Sequence, residues 1–159
     1  MISLTLVLTV GISLAQARQR ESLLTGVAKV INLRPGTCSA PDRLRICQDR
    51  TANLHLETSD DRLNGSASLL FDTISDNRSM VEQSMGFFRL QNEAGAWVGS
   101  WAGSIDHEGQ TLINVEAYGK GRFAGLIARW QMERSNPNGW EPLTISGSIQ
   151  REPLFARKR

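Results

Sequence analysis

The chain has 159 residues, 40% of them hydrophobic and 21% charged, with a formal charge of +2. That composition suits one domain with an adequate core and excludes a disordered, charge-rich polypeptide. The tail after Gln150 carries four basic residues against Glu152, so the body is slightly acidic, with its charges interspersed. It lacks the basic face of a nucleic-acid binder.

In chain order, Ile2–Leu14 is an apolar run without a charge, followed by Ala15-Gln16-Ala17 and then Arg18-Gln19-Arg20. This is the pattern of a secretory signal peptide over 1–17, cleaved after Ala17, although a positive n-region is missing. The run is short for a membrane span, and an uncleaved anchor or a plain strand are the alternatives. The expectation is a secreted or periplasmic protein with no stable membrane span after cleavage. One domain over 18–150 and a basic, solvated tail over 151–159 would follow.

The rest reads as short alternating runs separated by turn-rich breaks. Strands are predicted at approximately Leu23–Leu33, Leu44–Leu56, Asn64–Ile74, Val81–Asn92, Ala96–Asp106, Gln110–Tyr118, Arg122–Arg134 and Thr144–Arg151. Breaks fall at Arg34-Pro35-Gly36, Ser59-Asp60-Asp61, Ser75-Asp76-Asn77, Asn92–Gly95, Asp106–Gly109, Gly119-Lys120-Gly121 and Ser135–Gly139. These residues supply turn side chains or positive φ. No segment shows helical periodicity capped at both ends. The fold class is therefore all-β. Eight strands with short connections manage their edges best as a closed eight-stranded antiparallel β-barrel.

Alternation marks one buried face: Leu143, Ile145 and Ile149 oppose Thr144, Ser146 and Ser148. The Met85–Leu90 strand is apolar on both parities. Such a strand is covered on both sides, or its outer face meets the terminal segment or a partner subunit, a homo-oligomer being one such arrangement. Glycines recur at every second position in Gly95-Ala96-Trp97-Val98-Gly99-Ser100-Trp101-Ala102-Gly103 and again in Gly119–Gly125, with Trp or Phe on the same parity. Glycines on one face of a strand mean a tightly bent sheet or a closely approaching backbone.

Cys38 and Cys47 are an even pair behind an export signal, separated by residues that include Ser39-Ala40-Pro41-Asp42-Arg43, which favours one disulfide across a hairpin. Their C-x8-C spacing is neither a redox motif nor a zinc knuckle, and only His55 and His107 could complete a metal set. Neither histidine has a partner at ligand spacing. No metal site and no cofactor is expected.

Gly119-x-Gly121-x-Phe123-x-Gly125 resembles the glycine-rich turn-and-strand signature of the allene oxide cyclase-like barrels and their dirigent relatives. Asp61–Gly65, Gly86–Arg89, the Gly95–Gly103 strand and Ser146-Gly147-x-Ile149 are similar to secreted bacterial members of that superfamily, over roughly Leu23 to Gln150. The resemblance implies an often oligomeric barrel with an apolar cavity open at one end. It further implies hydrophobic substrates that are cyclised or coupled with help from a cavity carboxylate. No position here matches that carboxylate.

Glu116 is the candidate catalytic acid or base if its face looks inward; an outward carboxylate paired with a neighbouring Arg is the favoured alternative. Arg129 is an internal cation for a carboxylate ligand if the Gly125 face is inside, and solvated if the Trp130 face is inside. Trp97 and Trp101 either cover glycines on adjacent strands or form an aromatic platform. With Tyr118 and Phe123, these residues make up the candidate ligand site. Glu82 and Arg89 form a candidate cross-strand pair. Asn64-Gly65-Ser66 and Asn77-Arg78-Ser79 fit the glycan acceptor pattern.

Three functions follow. The first is a barrel binding a small hydrophobic molecule; the second is a cyclase- or isomerase-type enzyme; the third is an interaction barrel filled by its own side chains. The last would show a packed interior and an exposed apolar outer strand.

Overall fold

A computed structural model describes residues 21–76, 78, 81–106, 108–134 and 142–153. The expected signal segment over 1–17, His107, the Asn77-Arg78-Ser79 triplet in part, the break at 135–139 and the tail from 154 lie outside them.

The elements are β1 (Ser22–Arg34), β2 (Thr37–Ser39), β3 (Leu44–Thr58), a 3-10 turn (Asp61–Leu63), β4 (Gly65–Asp76) and β5 (Glu82–Gln91). They continue with β6 (Gly95–Ile105), β7 (Thr111–Gly121), β8 (Leu126–Arg134) and β9 (Leu143–Arg151). Every strand-strand pairing is antiparallel. The order is β1-β9-β8-β7-β6-β5-β4-β3-β2, and an additional β1–β3 pairing lets hydrogen bonds run in a ring through eight strands.

Two boundaries differ from expectation. Arg34-Pro35-Gly36 does not reverse the chain: β1 pairs with β3 as far as Arg34–Thr51, and β2 continues along the same strand from Thr37–Gln48. Gly36, at φ 69°, takes the kink, and a β-carbon there would lie 2.1 Å from the Gln48 carbonyl oxygen. The reversal comes after Ser39, where Asp42 holds φ 54° and Leu44 N–H bonds the Pro41 carbonyl at 3.1 Å. The second difference is at Gly119, which stays in β7, while the turn runs through Arg122–Gly125 between positive-φ Gly121 and Gly125. Phe123 folds back from that turn, and its ring stacks on Trp97 with centroids 5.4 Å apart.

The interior face carries Leu24 and Ala28, Ala52 to Leu56 in alternation, Ala67 to Phe71, Phe88, Leu90, both Trp97 and Trp101, Val115, Ala117, Trp130, Met132, Ile145 and Ile149. One level of it is aligned by register. Phe71, Gly86, Trp101, Val115, Trp130 and Gly147 are successive partners across β4 to β9. Glycine stands beside the large residues because the backbone of the adjacent strand comes too close for a β-carbon. A β-carbon at Gly86 would lie 2.0 Å from the Leu70 carbonyl oxygen, and one at Gly147 2.2 Å from that of Arg129. Removing these rings and the aliphatic side chains around them from water supplies the main stabilisation, about 25 cal/mol per Å2 of apolar surface.

One end of the ring is closed by the 3-10 turn. Leu63 is fully buried there, and the Arg62 carbonyl accepts from Trp97 Nε1 at 2.8 Å and from Asn92 Nδ2 at 3.2 Å. Asp60 caps the turn through Arg62 N–H at 3.1 Å and grips the Arg62 guanidinium, which holds its carboxyl below the ordinary range.

Candidate functional site

The six residues expected to form a ligand site divide between the two faces of the sheet. Trp97, Trp101 and Phe123 are buried inside the ring. Glu116, Tyr118 and Arg129 stand on the outer face of β7 and β8, because Val115, Ala117, Ala128 and Trp130 take the inner parity. The greater apolar payload of Trp130 decides which side of β8 is inside.

On the outer face those three residues form a cluster. Glu116 and Arg129 are direct register partners, and Arg129 Nε donates to Glu116 Oε2 at 2.6 Å. Tyr118, two residues along the same strand, donates its hydroxyl to Glu116 Oε1 at 2.5 Å. The tyrosine hydroxyl and then the guanidinium hold the Glu116 carboxyl below its usual value, and the carboxylate in turn raises the Tyr118 phenol. A carboxylate so stabilised is a weak base at neutral pH. The cluster borders an outer groove of about 540 Å3 that also includes Ser100, Ala102, Asn114, Gln131 and Ser146.

Inside, the aromatic rings meet edge to face: Phe71 with Trp101 and Phe88 with Trp130, each at 5.0 Å between centroids. Trp101 Nε1 and Trp130 Nε1 are buried there without a hydrogen-bond partner among the described residues. Ionisable side chains enter this face towards the end opposite the 3-10 turn. Arg50, on the inner parity beside Phe71, lies over that ring at 5.3 Å and donates to Glu82 at 2.7 Å and Thr73 at 3.2 Å. The expected Glu82–Arg89 pair does not form: the two residues sit on opposite faces of β5, and Arg89 donates instead to Gln91 at 3.1 Å. Arg50 was not legible as inward-facing, because a bulge between Cys47 and Arg50, with Asp49 at φ 56°, shifts the parity of β3.

Cys38 and Cys47 are register partners on β2 and β3 and form the disulfide. His55 is half-buried on β3, 3.9 Å from Glu57, which Lys29 holds more closely at 2.7 Å. Among the described residues no group of three His, Cys, Asp or Glu side chains gathers as a metal set.

A row of exposed apolar side chains lies on the outer face of β4 and β5. Phe87 is 70% exposed and Met85 61%, beside Leu70, the register partner of Phe87. Val98 adds exposed apolar surface on β6. Asp49, Asp72 and Ser100 line the same shallow groove, of about 460 Å3.

No protein-family model, curated protein or solved structure matches this chain.

Proposed function

We propose that the chain is a non-catalytic interaction module: a closed β-barrel, filled by its own side chains, that binds another protein through the outer face of β4 and β5. The observation that carries this is the row of Leu70, Met85 and Phe87, exposed together on a sheet whose other face is already buried. Contiguous apolar surface of that kind marks an interaction site, whereas scattered exposed side chains do not. The ring of eight strands supports the barrel, and the glycine–aromatic resemblance supports an allene oxide cyclase-like one. The disulfide supports secretion or a periplasmic location, since such bonds persist in oxidising compartments.

A photo-activated cross-linking residue placed at position 87, with an outward control at Thr144, tests the proposal in the producing cell. A discrete protein adduct at 87 and none at 144 is expected. Equal labelling at both positions, or none at either, would overturn it.

The unpartnered indole N–H groups of Trp101 and Trp130 favour a second reading, a small apolar ligand with an oxygen acceptor held among the rings. Native mass spectrometry of the extracted protein separates the two. A one-to-one small-molecule adduct belongs to the second reading, and the bare chain mass to the first.

A further inference from the structure

Charge decides what fits the β4–β5 face. In the outward rows of Ser66–Ile74, Gln83–Gln91 and Ala96–Ser104, the charged side chains are Asp72 and Arg89. Asp72 is the register partner of Met85, and Arg89 lies four residues farther along β5 from Met85, on the far side of Phe87. At about 3.3 Å per residue the two charges are offset by roughly 13 Å along the strands. Leu70 and Phe87 lie midway between them. The acidic end is fixed, because Asp72 Oδ1 accepts the Asp49 backbone N–H at 3.0 Å. The basic end has Gln91 as its neighbour.

An acidic end, an apolar centre and a basic end on one surface are complementary to the same surface turned over. A two-fold axis lying in the plane of the sheet and running across the strands brings Phe87 onto Phe87 and Leu70 onto Leu70. It also sets each Asp72 over the partner's Ser68, one strand spacing of about 4.8 Å from the partner's Arg89 and within reach of that long side chain. Two-fold interfaces are isologous, so every favourable contact is made twice.

We infer that the partner is a second copy of this chain, docked through Leu70, Met85 and Phe87 with two symmetric Asp72–Arg89 ion pairs. The inference rests on the interaction-module reading and names its occupant. The patch supplies the apolar core of the interface, and the flanking charges fix its register.

The test is sedimentation of the full chain over a wide concentration range, with charge reversals. Asp72→Arg alone sets Arg against Arg, and Arg89→Asp alone sets Asp against Asp. Each should weaken self-association about tenfold or more. An equimolar mixture of the two single variants should re-associate, because each arginine then faces an aspartate in both symmetric contacts. The double variant should recover as well. Arg89 hydrogen-bonds Gln91 on its own strand and holds no turn, so the test survives if Asp72→Arg disturbs the Asp49 turn. A wild-type chain that stays monomeric throughout, or a mixture no better associated than its components, overturns self-pairing. The cross-link at position 87 then separates the two claims: an adduct of a mass other than twice the chain sinks only self-pairing, whereas no adduct sinks the interaction reading too.

Discussion

Phe71 and Trp101 meet edge to face across Gly86, which is the register partner of both, with ring centroids 5.0 Å apart. Nothing larger than hydrogen fits at position 86. An added β-carbon would meet the Leu70 carbonyl oxygen at 2.0 Å and the Phe71 α-carbon at 2.7 Å. Both obstacles are backbone, so the sheet itself must move. Gly86→Ala should cost about 1–3 kcal/mol, the usual cost of overpacking. Ser100→Ala, on the outer face beside Trp101, should stay within about 0.5 kcal/mol. Urea titration of both variants checks this; equal costs would mean that the close approach at Gly86 is not a constraint.

Trp97 has two jobs at the plugged end: its ring stacks on Phe123, and its Nε1 holds the Arg62 carbonyl at 2.8 Å. Trp97→Phe keeps most of the ring and loses the donor, while Arg62 retains Asn92. The expected loss is about 1 kcal/mol. Trp97→Ala empties a fully buried site and should cost about 3–5 kcal/mol. A denaturation series in which both variants cost the same would show that the hydrogen bond, not the ring, dominates.

These two sites also show why the strand pattern was readable and the function was not. Gly86, Gly99 and Gly147 share parity with large apolar residues, and period-two alternation reports that directly. The disulfide was readable from a turn between two cysteines. Arg50 was not, because the bulge before it reverses which parity faces inward. An outward Glu116 was the favoured reading but was not decided, since its strand mixes Leu112 and Tyr118 on one parity with Val115 and Ala117 on the other. Only the ring closure settles that Val115 and Ala117 point inward. The β4–β5 patch was half legible: Met85 and Phe87 stand out in an alternating strand, but pairing them with Leu70 required the register.

The Glu116 cluster predicts a modest acid dependence. The folded-state pKa of Glu116 is lowered, first by the Tyr118 hydroxyl and then by Arg129, from an ordinary value of 4.5. A depressed carboxyl contributes stability that is complete above the unfolded-state value and is lost as pH falls through the folded-state value. The group is partly exposed and solvent screens its partners, so the contribution should be below about 1 kcal/mol. Glu116→Gln should therefore be slightly less stable than wild type at neutral pH, and the difference should vanish in acid below the folded-state value. Paired denaturation curves at neutral and acid pH decide it. A gap that widens as pH falls would reverse the sign and remove the Tyr118–Glu116–Arg129 explanation.

Reduction of Cys38–Cys47 should act locally first. β2 pairs only with β3 and stands outside the ring of eight strands, so the bond staples an edge rather than closing the core. In the chain-entropy account, a cross-link at a sequence separation of 9 contributes roughly 2–3 kcal/mol. Cys47 is buried whereas Cys38 is exposed, so the two replacements differ in kind. Cys38→Ser leaves a hydroxyl in water, and Cys47→Ser places one where water is excluded, which adds a desolvation cost. Hydrogen exchange on the double Cys→Ala variant should show lost protection over Thr37–Ser39 and Gln48, with β5 to β7 unchanged. Uniform loss of protection across those inner strands would mean instead that the staple supports the whole ring.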